Sequence, residues 1–301
     1  MDLTIKNSVR ITYRVMALLL LSFVSHSLAA SSVFKVTKGQ NSIYLGGTFH
    51  ILTEEDYPLP AAYQMAYDAA DELVFETDIG AFETPTFQQK MLPIIMQAAG
   101  EKLSDKLLPD TLEALHEYLQ TLGLPKGQFE DLSATGAMLT LTIMEYRRKG
   151  FTSEGVDEYF YAMGKKAKTA ISWLESVDTQ LAFLDSFDDE DPNALIEYTL
   201  KELDKSDELI SKIHSAWRKG DMSALVQAGM VEMMRDHPQI YKDLIVTRNE
   251  AWYPQLLEML KDADTEYVLV GALHLPGEDG LLTKLKKDGF IVQQINQAPA
   301  N

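Results

Sequence analysis

Two copies of the pattern Gly-x-x-His constrain the fold of this chain more than any other feature. The first copy is Gly47-Thr48-Phe49-His50, and it follows the β-like run Ser42-Ile43-Tyr44-Leu45. The second copy is Gly271-Ala272-Leu273-His274, and it follows the apolar run Tyr267-Val268-Leu269-Val270. In open α/β sheets, ligands bind beyond the carboxyl ends of the strands. The two patterns therefore predict that histidines from opposite ends of the chain converge on one site at one edge of a sheet.

Carboxylates follow two further strand-like runs. Glu76 and Asp78 come after the short apolar run Leu73-Val74-Phe75, and Glu175 comes after a run that ends in Trp173-Leu174. Two imidazoles and one carboxylate with open coordination positions form a catalytic set for zinc, manganese, cobalt or iron(II). Such a metal lowers the pKa of a bound water and polarises a carbonyl group. The strand ends therefore indicate metal-assisted hydrolysis.

A spare carboxylate near such a metal has two possible roles, and the sequence leaves both open for Glu175 and Asp78. It acts as the general base, or it orients a metal-binding imidazole. Arg248 is the candidate for stabilising a developing oxyanion or for holding a carboxylate. We therefore predict Glu175, Asp78 and Arg248 as the catalytic residues.

The order of the elements predicts a mixed α/β fold. Val33-Phe34-Lys35-Val36 and the run before the first motif form a β-hairpin. An Ala-rich helix then connects the first motif to Leu73-Val74-Phe75, and such a strand–helix–strand unit implies a parallel pairing. We expect a largely parallel central sheet flanked by helices, in which the two strand–Gly-x-x-His–helix units are pseudo-symmetric halves.

The order of the predicted elements also gives the domain organisation. Residues 1–29 are predicted as a signal peptide and 30–301 as a single domain. Residues 85–150 and 190–245 are expected to be mostly helical insertions, the first of which covers the pocket. The last strand is predicted at Phe290-Ile291-Val292-Gln293-Gln294, after a turn at Asp288-Gly289.

The N-terminus has the pattern of a secretory signal peptide. Basic residues precede an apolar run from Val15 to Val24, and small residues follow up to Ala29 and Ala30. Cleavage near Ala29 or Ala30 predicts a periplasmic or secreted protein with no membrane association after cleavage; an uncleaved anchor is the alternative. The formal net charge of −18 argues against a nucleic-acid partner, which requires a basic surface.

Other catalytic mechanisms lack their residues in this sequence. The chain has no cysteine, which excludes disulfides and a cysteine nucleophile, and it has no Gly-x-Ser-x-Gly elbow and no His-Glu-x-x-His helix. His116, His214 and His237 lie in polar helical or loop surroundings and are predicted to be structural or solvated. One isolated Gly-x-x-His is more often structural than functional, so the metal hypothesis depends on the two copies meeting.

An ordered set of motifs runs through nearly all of the mature chain: Gly47–His50, Glu72–Asp78, Glu154–Asp157, Trp173–Ser176, Arg248-Asn249-x-x-Trp252 and Val270–Gly277. As a set, these motifs resemble the TraB/PrgY/GumN family, which is related to the Tiki metalloproteases and more distantly to erythromycin esterase and a haem-binding lipoprotein of the same fold. The resemblance implies an α/β sheet flanked by helices. It also implies that His50, Glu76 and His274 are the metal and catalytic centre, supported by Arg248, Asn249 and the motif glycines Gly47 and Gly271.

These observations together predict an exported metal-dependent hydrolase, most simply a peptidase acting on small peptides or flexible chain ends. The metal would be manganese, cobalt, zinc or iron. The main alternative is a non-catalytic protein that uses the same pocket to bind a peptide, haem or another small ligand, because fold does not fix function. An esterase acting on a macrocycle is a third hypothesis.

Overall fold

The computed structural model describes residues 30–189 and 191–296, so the predicted signal peptide and its cleavage site lie outside the described residues. At the centre is a six-stranded sheet, and a short two-stranded sheet lies beside it. The central strands are β1 (Ala30–Lys38), β2 (Asn41–Thr48), β4 (Glu72–Phe75), β6 (Ala170–Trp173), β7 (Glu266–Gly271) and β8 (Ile291–Asn296). The short sheet consists of β3 (Ile51–Leu52) and β5 (Ser153–Glu154).

The central sheet is largely parallel, as the sequence predicted. Its strand order is β6-β4-β7-β2-β1-β8, and the pairs β6–β4, β4–β7 and β7–β2 are parallel. The predicted hairpin of β1 and β2 is antiparallel, and β8 pairs antiparallel with β1 at the edge. The mixed α/β prediction is therefore confirmed, whereas the pseudo-symmetry of the two halves stays a prediction.

The predicted parallel pairing of β2 with β4 is wrong in one respect. The two strands run in the same direction, but β7 lies between them and pairs with both. The reason is burial, because β7 is buried at every residue except Gly271 and needs strands on both sides. The strand that carries the second motif is therefore the neighbour of the strand that carries the first.

Helices cover both faces of the sheet. They are α1 (Ala61–Asp68), α2 (Pro85–Ile95), α3 (Pro109–Thr121), α4 (Ala134–Arg148), α5 (Val156–Ala167), α6 (Val177–Asp185), α7 (Pro192–Asp204), α8 (Ser206–Lys219), α9 (Met222–Gly229), α10 (Val231–Asp236), α11 (Pro238–Tyr241), α12 (Arg248–Met259) and α13 (Leu281–Lys287). Within the described residues, none of the helices combines the length and the apolar character that crossing a membrane requires.

Side chains alternate between the two faces of the sheet, as the period of a strand requires. On one face, Leu73 and Leu269 pack against α1, α5 and α8 around the fully buried Trp217. On the other face, Val74 and Val268 pack against α12 and α13. Both faces are thus covered, which fixes the position of the sheet edge where the motifs end.

The two predicted helical insertions form a third hydrophobic cluster with each other. Leu115 and Leu119 of α3 and Leu141 of α4 pack against Ile196 of α7. The two predicted insertions therefore pack together into one helical layer. The pattern predicted helices here but gave no sign that the two segments share a core.

Candidate functional site

The two Gly-x-x-His motifs end on adjacent parallel strands. In the pairing of β2 with β7, Gly47 lies opposite Val270 and Thr48 lies opposite Gly271. Both motif histidines therefore leave the sheet at the same edge. This adjacency follows from the insertion of β7 beside β2, and it links the two ends of the described chain at one place.

Three candidate metal ligands converge on the open space beside Gly271. A Cβ atom built at position 271 would lie 3.8 Å from Nε2 of His50 and 3.5 Å from Cδ2 of His274. It would also lie 3.2 Å from Oε1 of Glu76. A side chain at position 271 would crowd this space, which is a physical reason for glycine in the second motif. The structure therefore brings together the three residues that the sequence analysis named.

Glycine in the first motif serves packing. A Cβ atom at Gly47 would lie 3.1 Å from side-chain atoms of both Leu275 and Ser32 and 3.2 Å from the backbone of Ala272. The carbonyl oxygen of Gly47 accepts a hydrogen bond of 2.8 Å from Nε1 of Trp217. Gly47 therefore lets β2 approach the turn after β7 closely, and this approach sets the spacing between the two histidine-bearing segments.

His274 is held as a neutral imidazole with a defined tautomer. The amide nitrogen of Asn249 donates to the carbonyl oxygens of His274 and Asp279, so its Oδ1 faces Nδ1 of His274 at 2.9 Å as an acceptor. Nδ1 therefore carries the proton, and Nε2 presents its lone pair. Burial of this ring, which is 4% exposed as a residue, lowers the pKa of His274 to about 4. The neutral form is the one that binds metals.

His50 is oriented in the same way from the opposite side. Its Nδ1 lies 3.1 Å from a carboxylate oxygen of Asp157, and its side chain is 63% exposed. The negative charge of Asp157 raises the pKa of His50 to about 9, so the free ring is protonated at neutral pH and a metal would displace the proton on Nε2. The carboxylate binds Nδ1 and leaves Nε2 facing Gly271, which is the arrangement that orients a metal-binding imidazole.

Arg248 connects the acidic residues of the site. Its Nη2 donates to Oε2 of Glu76 at 2.6 Å and to Oε1 of Glu175 at 2.7 Å, and its Nη1 lies 3.3 Å from Nε2 of His274. Burial raises the pKa of Glu76, but the positive charge of Arg248 and the neighbouring histidines outweigh it and lower that pKa to about 2. Glu76 is therefore ionised at neutral pH, and the guanidinium is shared between two carboxylates.

Trp252 completes this network and was missed as a functional residue. Its indole N–H donates to Oε2 of Glu175 at 3.0 Å, its ring centroid lies 4.5 Å from that of His274, and Arg248 stacks on the ring at 4.5 Å. The side chain of Glu175 is 7% exposed, and both of its oxygens accept hydrogen bonds. Glu175 is therefore better suited to positioning Arg248 than to acting as the predicted general base. Arg248, Asn249 and Trp252 all lie on α12, which starts at Arg248.

Asp78 lies apart from this network. Its carboxylate accepts a hydrogen bond of 3.0 Å from the backbone N–H of Gly80 and caps a short helical turn. Asp78 is absent from the residues that line the two cavities beside His50. The structure therefore gives it a capping contact, and its predicted role as a base gains no support from its position.

Asp157 is the other residue that sequence reasoning did not assign. It lies in the first turn of α5, whose Val156 N–H donates to the carbonyl oxygen of Phe49. A Cβ atom at Gly155 would overlap the backbone carbonyl of His50, so only glycine permits this close approach. The motif Glu154-Gly155-Val156-Asp157 contained the only sequence signal, a glycine two residues before the acid.

Two cavities meet at His50. One has a volume of about 410 Å³ and the other about 380 Å³, and both are lined by Thr48, His50, Ile51, Glu76 and Arg248. Tyr146 of α4 and Ile213 of α8 line the second cavity, so the helical layer forms part of its wall. The candidate site is therefore a cleft with two compartments.

The donor set suits a divalent metal, although the side chains are not gathered around one point. Two oriented imidazoles and an ionised carboxylate are ligands that zinc, manganese and cobalt accept. Nε2 of His274 lies 3.9 Å from Oε1 of Glu76, and Arg248 contacts both residues. Across residues 30–189 and 191–296, no three His, Asp or Glu side chains already form a metal-sized group. The chemistry of the donors fits a metal, with Arg248 beside it.

The sequence comparisons agree with the motifs. The sequence model of the TraB/PrgY/gumN family matches residues 32–294. The uncharacterised protein YbaP of Escherichia coli K12 is 26% identical over 250 residues, which cover 82% of this chain and 89% of YbaP, and YbaP of Shigella flexneri shows the same values. No solved structure is significantly similar to the chain. The chain belongs to the TraB/PrgY/gumN family.

Proposed function

We propose that this protein is an exported metal-dependent hydrolase, most simply a peptidase. The observation that carries the proposal is that both motif histidines have a hydrogen-bond partner on Nδ1. Asp157 engages Nδ1 of His50 and Asn249 engages Nδ1 of His274. Nε2 of His274 lies 3.9 Å from Oε1 of Glu76, and Nε2 of His50 faces the same space beside Gly271. A partner on Nδ1 fixes the orientation of a metal-binding imidazole, and it does so here on both sides.

In this proposal His50, Glu76 and His274 hold the metal. When bound, a divalent metal supplies a water of lowered pKa and polarises the carbonyl to be cleaved. The signal-like N-terminus described above supports export.

Arg248 stabilises the charge that develops on the substrate. Its guanidinium lines both cavities and presents Nη1 beside His274, so it can donate to an oxyanion formed in the cleft. Glu175 and Trp252 act through Arg248: the carboxylate accepts from Nε and Nη2, and the indole holds the carboxylate in place. Because these contacts exist before a substrate binds, the guanidinium of Arg248 is already positioned to donate to the oxyanion.

Metal analysis of the purified mature protein tests the proposal. We expect close to one equivalent of divalent metal in the wild type and a large loss in His50→Ala and His274→Ala. His116→Ala is the matched control, because His116 lies on α3 outside the cleft. Equal metal content in all four proteins would refute the metal site, and hydrolysis that survives complete chelation would refute metal dependence.

The second candidate function is binding without turnover of a peptide, haem or another small ligand. The observation that favours it is the ion pairing of Arg248, whose Nη2 lies within 2.7 Å of both Glu76 and Glu175. A site in which every buried charge is already paired can bind a ligand without performing chemistry. Saturable binding of a peptide with no product from a broad peptide library, with or without added metals, would support this candidate against the first.

A further inference from the structure

The two cavities that meet at His50 have different walls. The larger one, which we call the acidic cavity, is lined by Glu76, Asp157, Glu158 and Gln180 beside the residues that both cavities share. The smaller one, which we call the apolar cavity, is lined by Phe49, Ile213, Leu244, Ile245 and Leu273 beside the shared residues. A substrate that spans His50 therefore meets two different environments.

The acidic cavity carries an excess of negative charge. Three carboxylates line it, whereas its cationic groups are Arg248 and the pH-dependent His50. Arg248 already shares its charge with Glu175, which lies outside this cavity, and His50 is paired with Asp157. Among the described side chains, Glu158 has no salt bridge to a basic residue. Glu158, an exposed side chain at the rim of the described site, is therefore a carboxylate of this cavity without a cationic partner among the described residues.

The same cavity holds hydrogen-bond acceptors without donors. Thr48 and Thr77 line it, they are 3% and 4% exposed, and neither hydroxyl oxygen has a hydrogen-bond partner among the described residues. Oδ1 of Asp157 is buried and also unpartnered, although Oδ2 binds His50. Buried polar atoms are normally satisfied, and all three of these oxygens can accept a hydrogen bond, so a bound donor group would satisfy them. An ammonium group supplies three N–H donors and places a positive charge beside Glu158.

The apolar cavity suits an uncharged side chain. Its walls are supplied by aliphatic residues from α8, from the π-helical stretch Lys242–Thr247 and from the turn after β7. Its volume of about 380 Å³ accommodates a leucine- or phenylalanine-sized group. The five shared residues lie between the two compartments, so a bond held at His50 has an acidic cavity on one side and an apolar cavity on the other.

We infer that the substrate is a peptide whose ammonium group lies in the acidic cavity while a neighbouring apolar side chain fills the apolar cavity. The inference rests on the proposed function for the position of the reacting bond, but the binding it describes needs no turnover. The ammonium group has two sources, a free amino terminus or a lysine side chain, and the probes below distinguish them.

Binding is measured by calorimetry on the mature protein in excess chelator, so that metal and turnover do not contribute. The reference probe is leucyl-alanine amide. N-acetylation removes the charge, and glycyl-alanine amide removes the apolar side chain. N-acetyl-lysyl-leucine amide, compared with its norleucine analogue, tests the lysine source. Acetylation is expected to weaken binding at least about tenfold, as the loss of a charge-assisted hydrogen bond does, and the glycyl probe is expected to bind about tenfold more weakly.

Two variants in the same segment of the chain test whether binding of the free amine depends on the acidic cavity. Glu158→Gln is expected to weaken binding of the free-amine probe about two- to fivefold and to leave the acetylated probe unchanged. Glu154→Gln is the matched control, because it removes the same charge four residues earlier from a side chain that lies outside the cavity. A melting temperature for each variant confirms that both are folded. Equal effects of the two substitutions would indicate a general field effect and would overturn the inference.

The outcomes separate this inference from the proposed function. Preference for the free amine without any hydrolysis in added metal supports the inference and contradicts the hydrolase. Metal-dependent hydrolysis that ignores both acetylation and the replacement of lysine by norleucine supports the hydrolase and overturns the inference. If only the lysyl probe outcompetes its norleucine analogue, the ammonium comes from a side chain. Absence of binding for every probe overturns the inference.

Discussion

Glu266→Gln is expected to stabilise the protein at neutral pH and to have little effect in acid. Glu266 begins β7 in the middle of the sheet, it is 5% exposed, and its Oε2 has no hydrogen-bond partner among the described residues. Burial, helped by the negative charges of Asp262, Glu72 and Asp264, raises the pKa of Glu266 from an ordinary value of 4.5 to about 7. The folded protein therefore resists ionisation of this carboxyl group.

The sign of the pH dependence follows from proton binding. Between pH 4.5 and about 7 the folded state keeps the proton of Glu266 while the unfolded state releases it, so the free energy of unfolding falls as pH rises through this window. At about 1.4 kcal/mol for each pKa unit, the full loss is on the order of 3 kcal/mol. Glutamine has the same shape and no charge, so the variant escapes this loss.

The assay is thermal and denaturant unfolding of wild type and Glu266→Gln from pH 4.5 to 8. The variant is expected to match the wild type at the acidic end and to exceed it by up to roughly 3 kcal/mol at pH 8, or a rise of about 2–4 °C for each kcal/mol. Glu250→Gln, at an exposed position on α12, is the control and is expected to change neither value. A stability difference that is constant with pH would refute the argument.

Three further predictions concern the cleft. Arg248→Lys loses the bidentate contact with Glu175, and we expect kcat of a cleaved substrate to fall about 100-fold or more with a small change in KM. Asn249→Leu leaves Nδ1 of His274 and two backbone carbonyls without partners, so unfolding should become easier by about 2–4 kcal/mol and metal content should fall; unchanged values would contradict the role of the amide. Gly155→Ala forces a methyl group against the backbone of the first motif histidine, and a lowered melting temperature with a shifted histidine NMR signal is expected, whereas an unchanged spectrum would contradict the close approach.

The sheet was predictable because its strands are local apolar runs with the period of a buried strand. The hairpin, the strand at Leu73–Phe75 and the last two strands all appeared where the pattern indicated. The strand order was not predictable in the same way, because the choice of β7 as the neighbour of β2 depends on packing between distant segments. The local sequence shows which residues favour a strand. It does not show which of the other strands lies beside that strand in the sheet.

The site shows the same division. Histidines and carboxylates at strand ends were identifiable because the carboxyl edge of a parallel sheet gathers such residues. The roles of Asp157 and Trp252 were not, because each depends on a contact with a residue from a distant segment: Asp157 with His50 and Trp252 with Glu175. Asp78, two residues beyond Glu76, caps its own turn, a contact that the strand-end pattern did not indicate, and its catalytic role stays a prediction.

The most direct test of the central claim is the position of a bound metal in a crystal of the protein grown with manganese or zinc, located by its anomalous scattering. The account predicts one strong peak beside Gly271, coordinated by Nε2 of His50, Nε2 of His274 and the carboxylate of Glu76. A peak elsewhere on the surface, or a cleft that stays free of metal at saturating concentration, would contradict it.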